Sequence, residues 1–468
     1  MGHLPVVVIV GRPNVGKSTL FNALTRTRDA LVGDNPGVTR DRIYGRARVG
    51  DRDVLLVDTG GLDESAGELE SLARRQTAQA IDEADVLMLV TDARDGILPA
   101  EHEIALDLRR RGRPLLHVVN KCDGLDPDQA LADAAELGLD SVALVSATHR
   151  HGLDALGSTL KRELPDSSGA QWPDDEGIRL ALIGRPNTGK STLLNRLLGE
   201  ERALATTIAG TTRDPIHARV ERDGVVYHLV DTAGIRRRRG SQQGIERFST
   251  IKALQAMEQA QVVALLVDGT EGLTDQDARL AGHVIDAGRA LVIVLNKWDC
   301  LDEAARKALL ADFPQRLRFA MFAPVVTASA LHGSGLGELT DAIEHVHAAA
   351  GQELSTPALT RALRQAAEAH APPGGKSSTP KLRYAHSGGN FPTRIIIHGS
   401  RTAHIPEQYR RYLINALRKQ FNLTGVPVRL IFRESDNPYA GRRNKLTARQ
   451  VEKRKRLKRI GRRKKSRK

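Results

Sequence analysis

The chain has 468 residues, 3% of them aromatic, and its two cysteines, Cys122 and Cys300, lie far apart, which excludes a disulfide framework and a zinc-ligand spacing and fits a reducing cytoplasm. The net charge of +14 is local: residues 436–468 hold 16 Lys and Arg against 2 acids, and the rest holds 54 of each sign, so a neutral body ends in an arm suited to a polyanion. No apolar run reaches transmembrane length, no signal-peptide pattern opens the chain, and so few aromatics disfavour a broad stacking surface for single strands.

At roughly 100–200 residues per domain the length predicts about three domains. The opening LPVVVIV is too short to span a membrane and runs into a glycine loop, so it reads as a buried strand. GRPNVGKST then matches G-x-x-x-x-G-K-[ST] between a strand and a helix, the context that makes a phosphate cradle. Gly11 and Gly16 let the main chain close around phosphates, with Arg12, Pro13, Asn14 and Val15 between them. Lys17 sets a charge on the outer phosphates, Ser18 offers a hydroxyl to Mg²⁺, and the helix start adds its dipole. Thr39, in PGVTRD, can close over Mg²⁺ and the terminal phosphate and let go after hydrolysis. Asp58 ends a strand in DTGG and can hold Mg²⁺ through water; Thr59, Gly60, Gly61 and Leu62 follow, and the Gly61 N–H suits the terminal phosphate.

VLMLVTD ends in Asp92, and NKCD follows as Asn120, Lys121, Cys122 and Asp123. A carboxylate at a strand end accepts from the ring N–H and the amino group of guanine, a donor pair that adenine lacks, so Asp123 is the candidate base reader. Asn120 would tether the loop, Lys121 would lie along the base, and Ser146 and Ala147 of SAT would turn N–H groups to the guanine oxygen. An acidic, polar linker is expected at 165–177.

Beyond it the set returns. Gly184, Arg185, Pro186, Asn187, Thr188, Gly189, Lys190 and Ser191 repeat the cradle; Thr212 in AGTTRD repeats the switch threonine, 22 residues past its lysine as in the first copy. Asp231, Thr232, Ala233, Gly234 and Ile235 repeat the DxxG stretch; Asn296, Lys297, Trp298 and Asp299 repeat the base loop; Ser329 and Ala330 repeat SAT. The shift is 173 at Gly11 and at Asp58, 176 at Asn120 and 183 at Ser146, so the drift falls between motifs and the unit is a duplicated domain. Runs such as IRLALIG, VVALLVD and ALVIVLNK, alternating with helical patterns such as STLLNRLLGE, predict α/β, doubly wound, mainly parallel sheets with every motif at a carboxyl strand end. The loops after DxxG differ in sign: LDESAGELE is acidic and IRRRRGSQQG is basic.

From Thr356 the pattern becomes αββαβ: LTRALRQAAEAH, KLRYAHS, TRIIIHG, PEQYRRYLINALRKQF and VPVRLIF. This suits a small α+β, KH-like domain, but no G-x-x-G stands between its helices to clamp a nucleic-acid backbone, so docking on one of the two duplicated domains is the alternative. Tyr384, Tyr409, Tyr412 and Phe421 either stack bases or belong to the core and its boundary. The expected division is 1–164, linker 165–177, 178–350, 351–435 and a basic tail at 436–468. The tail would bind RNA phosphates in a salt-dependent way.

The ordered motifs resemble Ras-like translation-factor-class GTPases, and two such domains with GRPNxGKS before a small basic domain resemble the EngA/Der double-GTPase family over nearly the whole chain. The resemblance implies a bacterial cytoplasmic GTPase that takes GTP/GDP and Mg²⁺, acts in assembly of the large (50S) ribosomal subunit through its rRNA, and works as a monomer without stable membrane association. Leu62 and Ile235 stand where Ras-type enzymes orient water with glutamine, which implies a slow intrinsic rate. Asn14 and Asn187 match an asparagine that helps bind K⁺ in related GTPases. Alternatives are an RNA-binding scaffold that turns over at one site, an RNA-modification GTPase, which would need a substrate pocket or catalytic cysteine that the sequence does not offer, and a P-loop ATPase, which ATP competition would reveal.

Overall fold

The computed structural model describes residues 4–25, 43–60, 77–165, 177–199, 218–230, 249–374 and 379–434. Thr39, Gly61, Leu62, Thr212, Asp231, Thr232, Ala233, Gly234 and Ile235, most of the linker and the whole of the tail lie outside the described residues.

Six strands build the first domain: β1 (Val6–Val10), β2 (Tyr44–Val49), β3 (Arg52–Asp58), β4 (Val86–Asp92), β5 (Leu115–Asn120) and β6 (Ser141–Leu144). Their order is β2-β3-β1-β4-β5-β6, parallel except for β2. The second domain repeats the order with β7 (Ile178–Gly184), β8 (Ala218–Arg222), β9 (Val225–Val230), β10 (Val262–Asp268), β11 (Ala290–Asn296) and β12 (Val325–Thr327). The continuous apolar runs are buried on both faces: every residue of β1, β4, β10 and β11 is buried. β2 and β8 are antiparallel edges with polar outward positions. Asp223 and Gly224, both at positive φ, make the two-residue turn from β8 to β9, the conformation whose twist suits a tight hairpin.

The C-terminal domain has β13 (Lys381–Ser387), β14 (Thr393–Ser400) and β15 (Val428–Glu434), with β13 antiparallel and β15 parallel to β14. Helix Thr356–Ala369 buries Leu359, Ala362, Leu363 and Ala366, one face at helical spacing, and helix Glu407–Gln420 buries Tyr409, Leu413 and Leu417. Each fully buried leucine contributes about 1.5–3 kcal/mol. Tyr409 Oη donates to His370 O and Tyr412 Oη to Ala366 O, both at 2.8 Å, so these two rings belong to the helix pair. Phe421 is half-buried against the same core, whereas Tyr384 is 42% exposed.

One hydrophobic cluster runs without a break from Leu193, Val292 and Leu339 of the second GTPase domain to Leu359, Ile395 and Leu413 of the C-terminal one. The backbone joins them too: Leu291 N donates to Gly425 O and Gly425 N to Phe322 O, each at 2.8 Å, while the Arg418 guanidinium lies 4.0 Å from the Phe322 ring centroid. Gly425 has φ 72°, and a Cβ there would stand 2.3 Å from Val346 Cγ1, so the approach requires glycine. The first domain meets helix Thr250–Gln259: Ile251 joins its core, Gln255 Nε2 donates to Leu4 O at 3.1 Å, and Ser249 Oγ donates to Glu83.

Candidate functional site

Strand register brings the polar ends together: Ile9 pairs with Asp58 and Asp92 with Asn120, and Asp268 pairs with Asn296 in the second sheet. Each glycine loop leaves the carboxyl end of the central strand and enters helix Lys17–Thr25 or Lys190–Gly199. Lys17, 6% exposed, donates from Nζ to Gly11 O at 2.7 Å and Arg12 O at 2.9 Å; Lys190 Nζ donates to Arg185 O at 2.6 Å. Asn14 (φ 67°) and Asn187 (φ 63°) hold left-handed backbone, which asparagine tolerates, and both are exposed. Pro13 is exposed beside Asn14, and Pro186 is half-buried beside Asn187. Val15 and Thr188 are the buried wedges of the two loops; the Thr188 hydroxyl is satisfied by Arg185 O at 2.9 Å.

Asp58, 1% exposed, accepts from Gly60 N at 3.0 Å, and Thr59 Oγ1 donates to Ile9 O at 2.8 Å. A Cβ at Gly60 would lie 3.0 Å from Lys17 Cε, 3.2 Å from Asp58 Oδ1 and 3.5 Å from Ser18 Oγ, so ammonium, carboxylate and hydroxyl converge there. One carboxylate with one hydroxyl suits Mg²⁺, which keeps several waters and substrate oxygens. Ser191 is half-buried at the matching place in the second loop.

The two base loops are tied down identically. Asn120 Nδ2 donates to Val15 O at 2.9 Å and its Oδ1 accepts from Ala147 N at 3.1 Å; Asn296 Nδ2 donates to Thr188 O at 2.7 Å and its Oδ1 accepts from Ala330 N at 2.9 Å. The asparagine therefore clamps the phosphate loop to the SAT or SAL loop. Gly16 and Gly189, at positive φ, permit it: a Cβ would stand 2.3 Å and 2.1 Å from the asparagine Nδ2. Lys121 Nζ reaches Asn14 O at 2.9 Å and Asp92 at 2.6 Å, and Lys297 pairs with Asp268. Asp123 accepts from Ser146 Oγ at 2.9 Å, and that bond holds its carboxyl below the usual range; Ser329 does the same for Asp299. Burial raises the Cys122 thiol, whose Sγ donates to Val119 O at 3.2 Å. Arg306 lies 5.4 Å from the Trp298 ring.

Three ion pairs at the sites have no counterpart in the sequence motifs. Arg12 and Arg185 turn from the cradle to buried carboxylates: Arg12 Nε donates to Glu101 and Arg185 Nε to Asp277, each at 3.0 Å. Glu101 and Asp277 also close the N-termini of helices Pro99–Arg110 and Asp275–Ala287, so each arginine fastens its loop to a neighbouring helix start. Arg94 Nη2 donates to Asp123 Oδ2 at 2.7 Å; its position two residues past Asp92 was the available signal.

A family model described as 50S ribosome-binding GTPase matches residues 6–121 and again 179–297, and one described as the KH-domain-like C-terminal part of EngA bacterial GTPase enzymes matches residues 353–433. GTPase Der of Thioalkalivibrio sulfidiphilus is 50% identical over 459 residues, 97% of this chain and 98% of that protein. The chain belongs to the Der family of double GTPases. GTPase Der of Xanthomonas axonopodis pv. citri is 48% identical and that of Shigella flexneri serotype 5b 45%, each covering 97% of this chain and 98% of the relative. A solved structure of an Aquifex aeolicus Era variant, bound to GDP and aluminium fluoride, is 22% identical over 55% of this chain and 92% of that one, with a TM-score of 0.28. As a Der GTPase the chain hydrolyses GTP, and each six-stranded sheet carries one match to the GTPase model.

Proposed function

We propose that both domains bind and hydrolyse GTP with Mg²⁺, and that the chain acts as a cytoplasmic monomer in assembly of the 50S ribosomal subunit by engaging its rRNA. The paired asparagine clamp carries the two-site reading, because it joins phosphate loop and base loop by the same two bonds in each domain. Asp123 and Asp299 read guanine; Lys17 and Lys190 neutralise charge on the terminal phosphate; Ser18, Asp58, Ser191 and Asp231 hold the metal, with Thr39 and Thr212 closing over it. Bound Mg²⁺ supplies positive charge to the phosphate oxygens. Gly61 and Gly234 donate N–H to the terminal phosphate, and attack by water yields GDP and phosphate.

With Leu62 and Ile235 unable to orient water, the exposed Asn14 and Asn187 would help hold K⁺, which would supply the missing charge. Hydrolysis should be at least about tenfold faster in potassium than in sodium, and equal rates would remove K⁺ from the reading. The basic arm at 436–468 supports an rRNA partner. Co-sedimentation with separated ribosomal subunits tests the whole. Binding to the large subunit should be stronger with a GTP analogue than with GDP, and weaker once residues from 436 onward are removed. Retention on the small subunit alone would overturn the assignment.

A further inference from the structure

The helices of the C-terminal domain cover one face of its sheet, where Ala385, Ile395 and Ile397 are 0% exposed. The other face carries Lys381, Tyr384 and His386 on β13, Arg394, Ile396 and His398 on β14, and Arg433 on β15. Tyr384 lies opposite His398, and His398 opposite Arg433. The Tyr384 and His398 rings are 4.5 Å apart and 5° from parallel; His386 lies 5.2 Å from His398 at 26° and 6.2 Å from Tyr384 at 25°. One exposed tyrosine and two half-buried histidines thus form a near-parallel stack on this face. Lys381, Arg383, Arg394 and Arg433 are exposed around them, and the one acid in the three strands is Glu434 at the rim, where it accepts from Ala403 N.

We infer that this sheet face is a platform for single-stranded RNA, with bases stacking on the Tyr384–His398–His386 rings and phosphates lying along Lys381, Arg383, Arg394 and Arg433. The inference rests on the proposal that RNA is the partner, and it names the surface and the form of RNA. The rings stack on one another, so the face left for an unpaired base is that of the 42% exposed Tyr384, with the half-buried histidines backing it and the surrounding cations tracking the backbone. A duplex hides its base faces and cannot use the rings. The chain's own tail is a poor occupant, because its 16 basic residues would meet a basic face. A docked protein is disfavoured because the exposed part of the face is cationic and aromatic, with Ile396 and Ile431 only half-buried between the charges. A second route to RNA, independent of any G-x-x-G loop, is therefore available to this domain.

Fluorescence anisotropy of the full-length protein tests this, with labelled oligouridine of about 12 nucleotides and a duplex of equal length as probes. Tyr384→Ala should weaken the single strand about tenfold, the size of one lost base stack, and leave the duplex unchanged. The slope of affinity against salt should stay the same in that variant, since no phosphate contact is lost, and Tyr384→Phe should bind as wild type. Arg394→Ala with Arg433→Ala should instead flatten the slope by about 1.4. Unchanged GTP hydrolysis in each variant reports an intact fold. Equal binding by wild type and Tyr384→Ala, or equal loss on single strand and duplex, would overturn the platform. So would loss of a concentration-dependent dimer in sedimentation velocity, which would assign the face to a second copy. Failure of the wild type to bind either RNA would instead remove the RNA partner itself.

Discussion

The two GTPase domains share their loops and differ in what lies beneath them. Asn120 and Asn296 make the same two bonds, and Lys121 and Lys297 meet the same strand-end aspartate. Directly under these ends the first domain buries a polar pair, Thr91 and His117, with 2.8 Å between Oγ1 and Nε2. At the matching positions the second domain has Val267 and Ile293, both 0% exposed. Positions whose polar atoms must meet both loops are held to one chemistry. Positions that only fill the sheet accept either an apolar pair or a polar one bonded to itself, provided the volume is kept.

The sharpest way to break the likeness is to remove one lysine at a time. Lys17→Ala and Lys190→Ala should each lower turnover in their own domain by about a hundred- to a thousandfold, the cost of losing a charge on the transferring phosphate. Filter binding with labelled GTP should fall from two nucleotides per chain to one in either variant. If one variant abolishes all turnover and the other none, only one domain is an enzyme and the second nucleotide is structural.

Glu258, on helix Thr250–Gln259, compares a contact within one domain with a contact between two. It accepts from Arg289 of its own domain at 3.0 Å and from Arg46 of the first domain. Arg289 is 3% exposed, and burial pushes its guanidinium down to about 10; its Nη1 donates to Phe391 O of the C-terminal domain at 3.1 Å. Burial pushes the Arg46 guanidinium down to about 10 as well, but 38% of its side chain stays exposed, so solvent screens part of its half of the network. Glu258→Gln should therefore cost about 3 kcal/mol of stability in the second domain and its docked partner, because it removes a carboxylate that a buried cation donates to. Arg46→Ala should cost less than about 1 kcal/mol. Urea unfolding followed by hydrogen exchange on each domain measures both; equal effects would show that the domain boundary is as buried as the domain interior.

Acid should separate the two GTPase domains. Burial pushes the His117 imidazole from its ordinary 6.5 down to about 4, and among the described residues its Nδ1 has no hydrogen-bond partner. Between pH 6.5 and about 4 the unfolded chain binds a proton that the folded one refuses, so stability falls as pH drops through that window. It is unaffected by this group above the window and loses nothing more below it. The loss in the first domain reaches at most about 3 kcal/mol, by 1.36 kcal/mol per pKa unit. Amide exchange in β4 and β5 should accelerate between pH 7 and 5 more than in β10 and β11, once corrected for intrinsic rates. Thr91→Val with His117→Ile should remove the difference; if the difference persists, another group carries it.

These contrasts mark what the sequence exposed and what it hid. Buried parallel strands were legible because β-branched runs such as VVALLVD leave no polar face, and β7 spans the whole of IRLALIG. The glycine and asparagine positions of the sites were legible because their chemistry is local and repeated. The partners of Arg12, Arg185 and Arg94 were not, since periodicity reports that a residue is buried or exposed and is silent on which distant carboxylate it meets. That the C-terminal domain docks was open to the sequence as an alternative, through its lack of G-x-x-G, but where it docks was hidden: that turns on Gly425 against Leu291 and Phe322, main-chain contacts that carry no side-chain pattern.

The smallest expected effect bears on the base loops, at the residue two past the strand-end aspartate. Arg94, 57% exposed, pairs with Asp123 Oδ2, the oxygen proposed to accept from guanine; Thr270 holds the matching place in the second domain and bonds Asp268 instead. Guanine must displace the arginine before Asp123 can accept both of its donors. An exposed pair of this kind contributes about 0–1 kcal/mol, so Arg94→Ala should tighten GDP binding at the first site by up to about fivefold and leave the second untouched. Raising the salt should narrow the gap between variant and wild type, because the pair it removes is itself screened. Weaker binding in the variant would reverse the reading: Arg94 would then hold the nucleotide, and the two base loops would differ in kind.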